Sequence, residues 1–424
     1  MLDRRQCLGL LGLPAVVPAA CLRPARAGEV LARANAVADS GEAYWAEIGR
    51  AFTVDRSIVN LNNGGVSPSP VFVQDAMSEH LALSNKAPAY YMWQVLEPQR
   101  EGVRERLAKG WGVDGEEIAI TRNASESLQI CQLGFDLRRG DEVLTTTQDY
   151  PRMITTFQQR ERRDGIVLKQ FPIPTPCEDP SEIVRRYEAN ISERTRLILV
   201  SHVIFLTGQV MPVREVVALG KEHGIPVIVD GAHAFAHLDF RLSDLECDYY
   251  GSSLHKWLCA PHGTGLLYVR KDRIAGLWPL MAAEEKHDDN IRKFEEIGTH
   301  PAANALAIAE ALTFHQGIGG KRKFERLVHL RDAWAKRLAA RERVRFHTSL
   351  EPGFAGAIAT VEIEGVDPGK LAEWLWKAHR IFVVAINHDE VKGIRVSPSV
   401  YTTHEELERF CEAMETVIAN GLPA

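Results

Sequence analysis

Lys256 stands between a histidine and a tryptophan in "GSSLHKW" (Gly251 to Trp257), with small residues before it and a Gly-Thr-Gly turn at Gly263 to Gly265 after it. An amine so placed is a candidate nucleophile and proton carrier. Other polar residues fall just after apolar runs: Asp230 after "IPVIV", His202 after "LILVS", and Tyr150 after "TTTQD". A further signal is "ITRNASESLQI" (Ile120 to Ile130), in which Asn123-Ala124-Ser125-Glu126 opens an amphipathic helix. The unpaired N–H groups and the dipole of such a helix start favour an anion such as a phosphate, to which Ser125 and Ser253 could add hydroxyls. Taken singly, each residue has a plainer explanation. Asp230 can form a strand-end turn, His233 can be a packed histidine, and Asn123 can be an ordinary cap.

The elements that must position these groups alternate. "DEVLTT" (Asp141 to Thr146), "GIVLKQF" (Gly165 to Phe171), "RLILVSHV" (Arg196 to Val203), "IPVIVDGAH" (Ile225 to His233) and "GTGLLYV" (Gly263 to Val269) read as strands. Between them lie helical patterns such as "VREVVALGKEHG" (Val213 to Gly224). Near-continuous apolar strands alternating with helices predict an α/β fold, a parallel or mixed sheet covered on both faces. Ligands of such sheets bind beyond the carboxyl ends of the strands.

The chain has 424 residues, is 45% hydrophobic and carries a formal charge of −6, enough for a large and a smaller domain, each with its own core. With no basic run in its body, nucleic acid is not the expected partner, and a small molecule is. Seven cysteines without a C-x-x-C pair indicate neither a zinc site nor a disulfide framework. At the N-terminus, Arg4 and Arg5 precede an apolar stretch from Cys7 to Cys21, and Ala25-Arg26-Ala27 offers an A-x-A cleavage signal. This resembles a twin-arginine export peptide over residues 1–27, cleaved near Ala27, with periplasmic localisation as the expectation. The stretch is too short for a membrane span of about 20 residues, and the residues before Cys21 match a lipid-attachment box poorly.

Taken together, the motifs resemble the class V aminotransferase family of fold-type I pyridoxal-phosphate enzymes, in its isopenicillin-N-epimerase-like branch. The similarity runs from about Leu61 to Met414, and its most specific part is Asp-Gly-Ala-His at Asp230 to His233 paired with Ser-x-His-Lys at Ser253 to Lys256. It implies a large cofactor domain over 61–312 with a mostly parallel seven-stranded-type sheet, a smaller C-terminal α/β domain over 313–424, and an N-terminal arm over 28–60. It implies pyridoxal 5'-phosphate held by Lys256 as a Schiff base, with Asp230 on the pyridinium nitrogen, His233 near the phenolic oxygen and Tyr150 stacked on the ring. The phosphate would lie against Ala124 and Ser125, with Ser253 and His255 beside it. "FEEIGTHPAAN" (Phe294 to Asn304) is similar to the segment whose threonine, here Thr299, reaches the phosphate of a neighbouring subunit, so a homodimer is implied. Arg395 in "GIRVSPSVYTTHEELERF" would bind the substrate α-carboxylate, and Asn63 is a further substrate-side candidate.

Two departures narrow the reaction. The loop "VVAINHDEVKGIRVS" lacks the nucleophilic cysteine of the desulfurases, and Phe205 stands where those enzymes carry a polar cofactor contact. The resemblance therefore implies chemistry at Cα of an amino acid or of an amino-acid unit in a peptide-derived metabolite: transamination, epimerisation or C–S elimination. With export, periplasmic tailoring of a peptide siderophore such as pyoverdine is the expected setting. A non-catalytic binding module on the same scaffold is the alternative from another class.

Overall fold

The computed structural model describes residues 26–37 and 41–423; the expected export signal falls almost wholly outside them. A seven-stranded sheet forms the centre, with strands in the spatial order Ile118–Thr121, Gly265–Val269, Tyr249–Ser253, Val227–Asp230, Thr195–Ser201, Glu142–Thr146 and Val167–Phe171. Gly265–Val269 runs antiparallel to both of its neighbours, and every other pairing is parallel. The sheet is buried on both faces. Ile198 and Val200 point into one apolar core and Leu197 and Leu199 into another, which is why this strand reads as an unbroken hydrophobic run rather than an alternating one. Helices supply the cover. In Val213–Glu222 the residues Val213, Val216, Val217 and Leu219 face inward, and Glu215 belongs to the solvated face.

A second core lies in a four-stranded antiparallel sheet, in the order Val384–Asn387, Lys392–Val396, Ala359–Ile363 and Val344–Phe346. Helices Gly320–Ala339, Pro368–His379 and His404–Asn420 contribute to that core, which also takes in Val59 and Leu61. Val59–Asn60 pairs in parallel with Ile381–Phe382, so the segment leading to the large domain is stitched to the small one. The expected change of domain between residues 312 and 313 falls inside helix Ala302–Ile318, whose Leu312, Phe314 and Ile318 all pack in the first core. That helix ends at Gly319, with φ 90°, where a side chain would be strained, and the next helix serves both cores, Leu327 packing in the first and Leu330 in the second. Helices Arg26–Val37 and Glu42–Gly49 form an arm that adds Ala27, Ala34, Tyr44 and Ile48 to the first core.

Close approach fixes one position beside Asp230. A β-carbon on Gly231 would lie 1.9 Å from the ring of Tyr250, a fully buried residue of the neighbouring strand. Gly231→Ala is expected to lose about 1–3 kcal/mol of stability through overpacking. Urea denaturation measures it, and an unchanged midpoint would contradict this account of the strand end.

Candidate active site

Asp230 ends its strand in register with Ser201 on one side and Gly251 on the other. Ser253 ends the next strand, and residues 254–264 then loop out before the chain returns as Gly265–Val269, carrying His255 and Lys256 beyond the carboxyl edge of the sheet. Helix Ala124–Gly134 points its N-terminus at the same place. Asn123 caps it by accepting from the Glu126 N–H at 2.8 Å, and the Ala124 N–H donates to Ser253 Oγ at 2.9 Å, joining the helix start to the strand end before Lys256. A cavity of about 270 Å³ results, lined by Ala124, Ser125, Tyr150, Asp230, His233, Ser253, His255, Lys256 and Arg395.

Charge is concentrated there. Burial lowers the Lys256 ammonium to about 8, with Arg395 pressing the same way and Asp230 opposing. Burial raises the Asp230 carboxyl to about 6, against the Ala232 N–H it accepts at 3.0 Å and against Lys256. Arg395 is lowered to about 10 by burial. His233 is pushed well below its ordinary value by burial and by the positive charges of Lys256 and Arg395, so its ring is neutral, with Nε2 3.2 Å from Lys256 Nζ. His255 falls to about 4, chiefly by burial, with a ring nitrogen 3.0 Å from the Thr264 carbonyl.

Arg395 reaches the cavity from the small domain. One Nη donates to the Phe205 carbonyl and the other to Asn62 Oδ1, both at 2.9 Å. Its buried Nε has no partner among the described residues, and neither has His233 Nδ1. A guanidinium has five N–H groups, so several remain for an anion. These orphaned nitrogens, a helix start with serine hydroxyls and a buried carboxylate near a lysine fit a group with an anionic phosphate and a protonated ring nitrogen, as pyridoxal phosphate has.

Two of the expected residues do not line this cavity, Asn63 and Thr299, the second of which is expected to act across a subunit interface. Asn63 is fully buried and does not line the cavity. Its amide donates to the Asn60 and Ser397 carbonyls, and its Oδ1 accepts from Tyr401 at 2.6 Å, so no polar group is left for a substrate. The neighbouring Asn62 is the one that touches Arg395. Thr299 is exposed and outside this cavity. Tyr150 is at the rim, 42% exposed, with its ring edge-on to Phe205 at 5.3 Å. His202, also at a strand end, is packed edge-on to Phe240 in the interior.

The structure adds positioning residues that sequence reasoning passed over. Asp149, 3% exposed, accepts from Thr145 Oγ1, Thr146 N and Oγ1, and Ser201 N and Oγ, which ties two strand ends together beneath Tyr150. The run of threonines before it was the available signal. His237 stacks on Trp257 with centroids 3.9 Å apart. It donates from Nδ1 to the His233 carbonyl at 2.7 Å and accepts the Ala357 N–H at Nε2, also at 2.7 Å.

The fold and cavity define an α/β protein with a lysine held in a cavity at the carboxyl edge of its sheet. The model of one family, "Aminotransferase class-V", matches residues 59–410, and the chain belongs to that family. Isopenicillin N epimerase of Amycolatopsis lactamdurans is 30% identical over 88% of this chain and 98% of its own. The enzyme of that name from Streptomyces clavuligerus is 29% identical, with the same coverage. Among solved structures, a C-DES mutant with glycine covalently linked to its PLP cofactor superposes with a TM-score of 0.76 at 22% identity, covering 86% of this chain and 97% of its own.

The raised pKa of Asp230 has a stability consequence. Its native value of about 6 lies above the ordinary 3.8, so between these values the native state holds more protons and stability falls as pH rises through that window. In cofactor-free protein, Asp230→Asn should gain on the wild type by roughly 2–3 kcal/mol between pH 4 and pH 8, measured by urea titration. A difference that stays constant over that range would contradict the buried, uncompensated carboxylate.

Proposed function

We propose that this protein is a pyridoxal-phosphate-dependent enzyme that removes a proton from Cα of an amino-acid unit. The observation that carries the reading is the burial of Lys256 and Arg395 in one cavity with Asp230 as its only carboxylate among the described lining residues. Bound pyridoxal phosphate supplies an electron sink for the bonds at Cα. The chain supplies the rest. The helix start at Ala124 and Ser125, with Ser253 and His255, holds a phosphate. Asp230 balances a proton on a ring nitrogen, and the free N–H groups of Arg395 orient the substrate α-carboxylate. Lys256 carries the Cα proton, and its lowered pKa lets it act as base near neutrality. Neutral His233, 3.2 Å away, can accept a hydrogen bond from Nζ and hold it in place.

A larger cavity of about 920 Å³ shares Gly65 with the first and is lined by Ile58, Val66, Trp376, Phe382 and Val383. It supports a substrate whose amino-acid unit carries an apolar extension, as in a peptide-derived metabolite. Epimerisation is the second reading, favoured by the similarity to isopenicillin N epimerase, with Tyr150 at the rim as the acid on the face opposite Lys256. Persulfide chemistry is disfavoured, because no cysteine among the described residues lines the cavity. The reading extends to a homodimer in which Thr299 reaches the neighbouring subunit's phosphate, and to twin-arginine export for periplasmic tailoring of a peptide siderophore.

Incubation with candidate amino acids and siderophore peptides in deuterated water should place deuterium at Cα in the wild type. Lys256→Ala should reduce this by at least the 10²–10⁴-fold typical of a lost general base. Borohydride should fix the cofactor on the peptide containing Lys256, and full exchange by the variant would remove Lys256 from the mechanism. Replacing Arg4 and Arg5 by lysines should leave the protein in the cytoplasmic fraction; unchanged periplasmic protein would refute twin-arginine export.

A further inference from the structure

Away from the cavity, three side chains from distant parts of the chain meet at the surface. Glu42 opens the arm helix Glu42–Gly49, His329 lies on Gly320–Ala339, and His404 opens His404–Asn420. The Nε2 atoms of His329 and His404 are 3.1 Å apart, and His404 Nε2 is 3.1 Å from Glu42 Oε1. All three potential ligand atoms lie within 4.8 Å of one another. Two imidazoles facing nitrogen to nitrogen, with a carboxylate oxygen at one of those nitrogens, is an awkward hydrogen-bonding arrangement, since a neutral Nε2 is either donor or acceptor. It suits a shared cation well. Ligand bonds of about 2.0–2.1 Å in a tetrahedron put ligand atoms about 3.3 Å apart, near the two separations observed. The remaining pair, Glu42 and His329, can close by rotation of exposed side chains.

We propose that Glu42, His329 and His404 form a Zn²⁺ site, completed by water, that fastens the N-terminal arm to the helices of the small domain. Imidazole nitrogen selects zinc and its transition-metal neighbours over magnesium and calcium. Arg326 already orients the carboxylate, donating to Glu42 Oε2 at 3.0 Å and also contacting Oε1, while its guanidinium lies over the ring of Trp45. The same positive charge, together with the N-terminal dipole end beneath His404, opposes a cation. The site is therefore weaker than closed cysteine-rich zinc sites. Because the ligands come together only in the folded chain, bound zinc stabilises the native state.

The test is titration of the full-length, cofactor-loaded protein, stripped with a chelator, with zinc chloride and separately with magnesium chloride. Equilibrium dialysis with metal analysis reads binding, and the thermal unfolding midpoint reads linkage. The expectation is one zinc per chain, no competition by magnesium, and a midpoint that rises with zinc. His329→Ala and His404→Ala should each weaken binding at least tenfold and remove the rise, with catalytic activity in the absence of zinc unchanged. His329→Gln and His404→Gln serve if either alanine variant fails to fold. Absence of zinc binding, or equal affinity in the wild type and both histidine variants, would overturn the proposal.

Discussion

Lys256 and Arg395 place two cationic side chains in one cavity, the first partly and the second almost fully buried, against a single lining carboxylate among the described residues. Buried charge is costly unless paired and hydrogen-bonded, and here the pairing is incomplete. The lowered values of both cations and the raised value of Asp230 all report this desolvation. What keeps the arrangement from relaxing is the packing beneath it. Gly231 lets Tyr250 close against the end of the Asp230 strand, and Asp149 ties the neighbouring strand ends with a fully engaged carboxylate. The lysine loop is pinned through the stacked pair of Trp257 and His237.

The two domains meet in this cavity, because its residues come from both. Arg395 belongs to the small sheet, yet it is anchored on the Phe205 carbonyl of the large domain and on Asn62 in the segment stitched between them. His237 makes the reverse connection: a large-domain residue whose Nε2 accepts the Ala357 N–H from the small domain, while Nδ1 holds the His233 carbonyl. Burial lowers His237 to about 3, so it stays neutral and can donate at one nitrogen while accepting at the other. A change in the angle between the domains would therefore move Arg395 and His233, the neighbour of Lys256, together.

Much of this was legible in the sequence where chemistry and local structure coincide. Asp230 sits at the end of a strand that announces itself by an apolar run, Ser253 and Lys256 belong to the Ser-x-His-Lys motif, and the helix start at Ala124 follows a capping residue. The rest was hidden for identifiable reasons. Asn62 and Asn63 are adjacent and of one type, but the turn that contains them buries one amide among backbone carbonyls and sends the other to Arg395. No composition rule separates them. Asp149 bonds locally to Thr145 and Thr146, but the tie it makes to Ser201, more than fifty positions away, is a tertiary property. Which core helix Ala302–Ile318 serves was hidden because it is apolar on nearly every side, and such a helix does not show which core it packs in.

The protonation inventory limits what the cavity can accept. Its two lining histidines are neutral, since burial and the nearby cations hold both below their ordinary value. Arg395 remains charged at about 10, Lys256 titrates near 8 and Asp230 near 6. At neutral pH the lining thus carries two positive charges against one negative, before any helix contribution. The dipole at Ala124 adds roughly half a positive charge. An amine without a carboxylate would bring further positive charge into this field and leave the donors of Arg395 unused. An anionic group reverses both problems at once. The field and the free donors of Arg395 therefore favour an anionic group in this cavity, and the apolar chamber beyond Gly65 adjoins it.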